Sequence, residues 1–339
     1  MSDVRLGIPA FDLHPLHGLH DPTSSTPARE PGSLRRTSSI DMVRAPGSLD
    51  PLYLHGRARD LETRLDGSAT ERTTASLEAT IDTAARVVTQ LEVSPDVPEL
   101  RLVGVPAMSG FRAAADRAAP ELRRHRDLRY TLLDDVPVAI LISGHAISAA
   151  RIKDHPTQSG YLPVADQCAG FLTGGLLMSS FEAGDAAVVT GPPAPDLTGI
   201  DPIGWHPMDA LPLHGMRRRR RVDVTLDSGG REVTIDSMFR DTYVRSDNLE
   251  TVIHEYTLEA HVDRLTGVVL SSRATPRVLP WQECPGAVAS AARIVGMRLD
   301  DLHTRVRHEL SGISTCTHLN DLLRSVADAS ALIALLDDK

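Results

Sequence analysis

The chain repeats itself, and a repeat restricts the fold more tightly than any local propensity. Arg35-Arg36-Thr37-Ser38-Ser39-Ile40-Asp41 returns as Arg217-Arg218-Arg219-Arg220-Arg221-Val222-Asp223. Arg59-Asp60 returns as Arg240-Asp241, and Leu77-Glu78-Ala79 as Leu258-Glu259-Ala260. These matches fall at offsets of 181 or 182 residues, and His145 to Arg151 returns as His318 to Arg324 at an offset of 173. One register held over most of each half points to a duplicated domain. Two copies of a unit are expected to share a fold, so elements legible in one half carry over to the other. Cys284 and Cys316 stand in the second half, and the matching stretches of the first contain no cysteine. The second half is therefore the expected seat of chemistry.

The repeat divides the 339 residues into four parts. Residues 1–33, rich in Pro, Ser, Thr and His, read as a flexible N-terminal segment. His14, His17 and His20 recur every three residues there, but Pro15 and Gly18 deny them a helix face, so a surface loop is expected. Residues 34–150 are the first, degenerate repeat and 213–339 the second. The bridge, 151–212, is loop-rich yet carries Phe171, Leu176, Leu177 and Phe181, too apolar for a free linker. In the second repeat, alternation predicts strands over 220–227, 232–244, 251–263 and 268–273, with links too short for crossover helices. Helical spacing follows over 285–295, 299–310 and 318–336. The fold class expected is α+β: a duplicated sandwich of antiparallel sheet plus helices, the copies joined by the bridge.

A net charge of −9 argues against a broad nucleic-acid surface. The one basic run, Arg217 to Arg221, reads as the start of a strand with outward-alternating charges. No apolar run approaches the ~20 residues of a membrane helix, and the first twenty residues lack the pattern of a secretory signal. Three cysteines without an export signal suggest reduced thiols in a cytoplasm. Lysine occurs only at Lys153 and Lys339, a codon bias expected of a GC-rich bacterial genome. Neither nucleic acid nor membrane is expected as a partner; a small molecule or a protein is left open.

Cys284 precedes Pro285 and a helix, and Cys316 precedes the last helix. A helix N-terminus favours a thiolate. His318 lies two residues beyond Cys316. Asp241 and His254 are placed to approach from the strands, and Cys168 from the bridge. Thiol, imidazole and carboxylate together suit zinc or an iron–sulfur species, and they equally suit a thiolate–histidine nucleophile pair. Buried cysteines serving as small hydrophobes are the plain alternative. Phosphate-binding glycine loops, dinucleotide fingerprints and serine-hydrolase elbows are absent from the sequence.

The stretch from Pro280-Trp281-Gln282-Glu283-Cys284-Pro285 to Cys316-Thr317-His318-Leu319 resembles the bacterial family known as domain of unknown function 2889. That resemblance covers roughly residues 213–330, implies no activity, and singles out Cys284, Cys316 and His318. Thr315 stands where the family has glycine. Cys284, its Ser/Ala-rich helix and the later Cys316 are also similar to U-type iron–sulfur scaffolds. This chain lacks their Cys-Gly-Asp turn, for which Asp166 and Cys168 are the substitutes.

Overall fold

The structure is a computed structural model and describes residues 18–48, 50–151, 164–184 and 188–337. His14 and His17 lie outside them. Eight strands form one antiparallel sheet: β1 (Ser33–Val43), β2 (Leu52–Thr63), β3 (Ala69–Asp82), β4 (Val87–Ser94), β5 (Met216–Leu226), β6 (Glu232–Val244), β7 (Glu250–Asp263) and β8 (Val269–Val278). Their order is β4-β3-β2-β1-β5-β6-β7-β8. Each half is a four-strand meander, and β1 and β5 join the two edge to edge. The halves therefore share one sheet instead of standing as two sheets across the bridge. That joint leaves neither first strand with an unpaired edge.

The register carries the repeat into the backbone. Exchanging β1 and β5 maps their pairing onto itself about the rung Ser38–Arg220. A bulge follows Asp60 in the β2–β3 ladder, and one follows Asp241 in the β6–β7 ladder. A second bulge, after Thr80, has its counterpart after His261.

Helices cover one face. The first half contributes α1 (Phe111–Ala118), α2 (Pro120–Arg124) and α3 (Leu128–Arg151), and the bridge contributes α4 (Leu176–Glu182). The second half contributes α5 (Leu299–Glu309), α6 (Thr317–Ser325) and α7 (Ala329–Asp337). Two of the expected helices take other forms. Residues 284–294 wind as a 3₁₀ stretch, and the span expected over 318–336 is broken by a short 3₁₀ turn at Val326–Asp328. The His145/His318 match does not survive as a positional one. His145 lies in the last turns of α3, whereas His318 lies in the first turn of α6.

By length and composition, α3 is apolar enough over Leu128–Ala149 to cross a membrane, contrary to the sequence reading. Most of that window is buried in the fold. Leu132, Leu133, Val136 and Ala139 enter the first-half core, and Asp134 and Asp135 are held in ion pairs.

The arginine run is not outward-facing. Strand alternation sends Arg218 and Arg220 to the helical face and Arg217, Arg219 and Arg221 to the other. Both faces are covered at the joint, so each guanidinium meets a carboxylate. Arg217 pairs with Asp41 at 2.5 Å, Arg218 with Asp241 at 3.0 Å, Arg219 with Glu250 at 3.3 Å, Arg220 with Asp135, and Arg221 with Asp223 and Asp236. Such pairing is required, because an unpaired buried charge is costly. The stretch from His20 to Gly32, expected to be flexible, instead lies on the non-helical face. Arg240 donates to the Thr23 carbonyl, Thr23 N–H donates to Glu255, and Trp205 of the bridge donates to Thr26. In the bridge, Leu177 is buried, and Phe171, Leu176 and Phe181 pack half-buried on the second-half core.

Candidate functional site

Three of the residues singled out in the sequence meet at the bulge of β6 and β7. Asp241 and His254 are rung partners, and the ladder slips beside them, leaving Ile253 as the extra residue. Bulges of this kind re-aim side chains. Here Ile253 and His254 both reach the helical face, where each lines a cavity. The first turn of α6 brings His318 over them. Its ring stacks on His254 with centroids 3.9 Å apart and planes 19° from parallel. One ligand-capable atom from each of Asp241, His254 and His318 falls within 4.8 Å of the others.

Burial opposes the charge on Asp241, but Arg218 and the neighbouring imidazoles outweigh it and hold the carboxyl below its usual range. Arg218 reaches both Asp241 oxygens through a single Nη1, at 3.0 and 3.1 Å. His254 Nδ1 lies 3.3 Å from the other side of that carboxylate, off the hydrogen-bond direction. His254 Nδ1 and His318 Nε2 are both buried with no hydrogen-bond partner. Burial, reinforced by His254, pushes His318 down to about 3, so its imidazole is uncharged at neutral pH. An uncharged imidazole keeps the lone pair that a metal or a proton takes.

The cysteines form a separate group. Cys168, Cys284 and Cys316 converge on Tyr256, and each acts on its acidity. An added Cβ on Gly170 would stand 2.9 Å from the Cys284 sulfur, so the bridge turn is packed directly against it. Backbone N–H groups of His318 and Leu319 approach Cys316, as expected at a helix start, yet burial prevails and its thiol is pushed up to about 11. Burial likewise raises Cys168, and raises Cys284 well above the ordinary thiol. The expectation of thiolates is thus reversed. Cys284 heads a 3₁₀ stretch and not an α-helix, and desolvation exceeds what the backbone N–H groups return. Among the described residues, the Cys/Cys/His set divides: His318 joins Asp241 and His254, and the thiols stand beside them.

Both groups open onto one cavity of about 640 Å³, lined by the first half, including α3, by the bridge and by the second half. His145 of α3 also lines it, packed edge-on against Tyr243 at 4.9 Å and close enough to His254 to lower its own pKa further; burial is the main cause, and the value falls to about 3. The sequence reading noted His145 only as a repeat match. Tyr256 was missed as well. The register of the repeat alone gave Arg218 a link to Asp241, since Arg36 and Asp60 occupy the corresponding rung.

Comparison with known proteins adds one assignment. Residues 216–332 match the family described as "Protein of unknown function (DUF2889)". The matched span runs from β5 into α7, so it contains Asp241, His254, Cys284, Cys316 and His318. No curated protein matches the chain, the U-type iron–sulfur scaffolds included. Among solved structures, one titled "Crystal structure of lipopolysaccharide binding protein" aligns over 91% of each chain at 8% identity with a TM-score of 0.15. That is no likeness of fold.

Proposed function

We propose that the second half binds a divalent transition metal through Asp241, His254 and His318. What carries this reading is the pair of buried, unpartnered imidazole nitrogens beside a buried carboxylate. Two histidines and one carboxylate leave open positions on zinc or iron(II), so a metal held there has room for water or a substrate. When bound, it would supply Lewis acidity or a metal-activated water. The chain's own residues position it. Arg218 orients Asp241 and offsets its charge, and the β6–β7 bulge aims His254. In this reading the thiols, which burial raises above the ordinary thiol pKa, are walls of the cavity.

The proposal includes the duplication. The halves are read as two copies of one meander-plus-helices unit, with 151–212 as a packed bridge and the site kept in the second copy. Support comes from the bulges that recur after Asp60 and Asp241, and from Thr73, which occupies the rung of His254. A cytoplasmic bacterial protein without nucleic-acid or membrane partners remains our expectation, supported by the pairing of the whole arginine run within the fold.

The test is metal content. Purified protein, and protein stripped and then titrated with zinc or iron(II), should bind about one equivalent. His318→Ala and His254→Ala should each lower affinity by at least ~100-fold. Equal metal content in wild type and both variants would refute the site.

A further inference from the structure

We infer that the cavity takes an uncharged aromatic compound, held between ring walls that the bridge and the segment after β8 supply. Its volume of about 640 Å³ lies within the roughly 300–1000 Å³ of pockets that enclose a small organic ligand. The chain is poor in large aromatic residues, with five phenylalanines and two tryptophans in 339 residues. Phe111 and Phe239 belong to the two cores, and Trp205 is buried on the other face of the sheet. Phe171, Phe181 and Trp281 line the cavity, and the imidazoles of His145, His254 and His318 line it with them. Aromatic walls attract a flat π-face beyond what burial of apolar area alone supplies.

Helix α3 leaves room for such a ligand. Gly144 lines the cavity from within that helix, and an added Cβ there would meet nothing within 4 Å. Glycine inside a helix is destabilising relative to alanine. Helix propensity therefore opposes Gly144, and the neighbouring packing does not require it. The lining also sets the charge of the ligand. Among the described residues, the arginines and carboxylate that line the cavity are Arg44, Arg86 and Asp50. Arg44 donates to the Ser143 carbonyl and hydroxyl, at 3.4 and 3.1 Å. Asp50 accepts from the backbone N–H and hydroxyl of Thr83, at 2.6 and 2.7 Å. Arg86 is exposed, where a charge contact contributes little. An ionised ligand would lose hydration here without gaining an uncommitted partner of opposite sign.

The ring walls do not depend on the metal, so this inference and the metal reading fail separately. Calorimetric titration of the full-length, metal-stripped protein with β-naphthol should show saturable binding. β-Naphthoate and β-naphthyltrimethylammonium, the same rings with either charge, should each bind at least ~10-fold more weakly. Phe171 and Phe181 are half-buried, so leucine keeps the apolar wall and removes only the ring. Phe171→Leu and Phe181→Leu should each lower β-naphthol affinity by ~3-fold. Decahydro-β-naphthol, the saturated counterpart, should bind both variants and wild type alike. Gly144→Leu places a good helix former against open space, so it should fold. It should weaken β-naphthol and its saturated counterpart together by ~10-fold or more, because the side chain occupies their volume. Absent binding of β-naphthol, equal binding of either charged analogue, or Phe variants that weaken both alcohols alike or neither would each overturn the proposal. Wild-type affinity in Gly144→Leu would place the ligand outside this cavity and overturn it as well.

Discussion

The two halves of the sheet place an aspartate on the same rung and use it differently. In the first half, Arg36 grips both oxygens of Asp60 through Nε and Nη2, at 2.8 Å each, and the Thr73 hydroxyl donates to it at 3.1 Å. All of that carboxylate is engaged in holding the sheet together. In the second half, Arg218 spends one Nη1 on Asp241, and its remaining nitrogens turn toward Asp135 and Asp321. The vacated side of Asp241 faces His254, which replaces Thr73, and His318. The same backbone register yields a structural ion pair in one half and a ligand-like cluster in the other. The difference lies in Thr73 on one rung and His254 on the corresponding one, and in which helix turn lies above.

The largest effects should come from removing the arginines. Arg36→Met strands Asp60, and Arg218→Met strands Asp241, whereas Asp135 keeps Arg220 and Asp321 keeps Arg324. Breaking a buried pair from one side costs ~3–5 kcal/mol. Urea unfolding should show losses of that size for both, greater for Arg218, because Asp241 is fully buried. A nearly neutral Arg218→Met would mean that Asp241 is not held as a charged group, and the contrast between the halves would collapse.

Next in size is the response to metal. At a hundredfold excess over its dissociation constant, a ligand specific for the folded state adds ~2.7 kcal/mol. Wild type should gain about that much on zinc addition in thermal or urea unfolding. His318→Ala should gain almost nothing. Thr73→Ala, the corresponding rung of the first half, should respond like wild type. Equal stabilisation of wild type and His318→Ala would move the metal away from this rung.

His206 supplies a control imidazole on the other face. It too is pushed to about 3, first by burial and then by Arg59, Arg217 and Arg219. Unlike His318, it is satisfied at both nitrogens, by the Thr37 and Ser39 hydroxyls at 2.9 and 2.8 Å. Its folded pKa lies below the unfolded 6.5, so the unfolded state binds the extra proton first. The contribution is complete above pH ~6.5 and declines as pH falls toward about 3, by ~1 kcal/mol per unit over the middle of that window. His206→Gln should remove this component of the pH slope between pH 6.5 and 5, measured by urea unfolding, and leave zinc binding intact. An unchanged slope would show that His206 titrates normally in the folded protein.

How much of this was legible follows from what each residue touches. The strands at 232–244 and 250–263 were readable because their apolar residues alternate against a helix layer. The helices at 299–309 and 317–325 were readable from leucine spacing. Five consecutive arginines read as solvated because their acids, Asp41, Asp135, Asp223, Asp236, Asp241 and Glu250, are dispersed over two hundred residues. The β1–β5 joint brings Asp41 to the run, α3 brings Asp135, and the second meander supplies the others. Asp241, His254 and His318 could be grouped in the sequence because two lie on strands that pair and the third on a helix start. The burial that raises the thiols was not legible, because sequence gives a helix start but not its depth. Desolvation is a property of the packed fold.

The smallest effect expected is the one that most sharpens the site. Cys284→Ser and Cys316→Ser should leave zinc affinity within ~2-fold, because neither sulfur belongs to the cluster formed by Asp241, His254 and His318. Buried protonated thiols should also react slowly with iodoacetamide at pH 7, since the thiolate is the nucleophile and burial holds Cys316 at about 11 and Cys284 well above its ordinary value. Labelling followed by intact mass should show modification only on the timescale of unfolding. If Cys316→Ser instead releases the metal while His254→Ala retains it, the ligand set is the thiol group around Tyr256. The functional contrast between the halves would then lie in the cysteines missing from the first, and not in the exchange of Thr73 for His254.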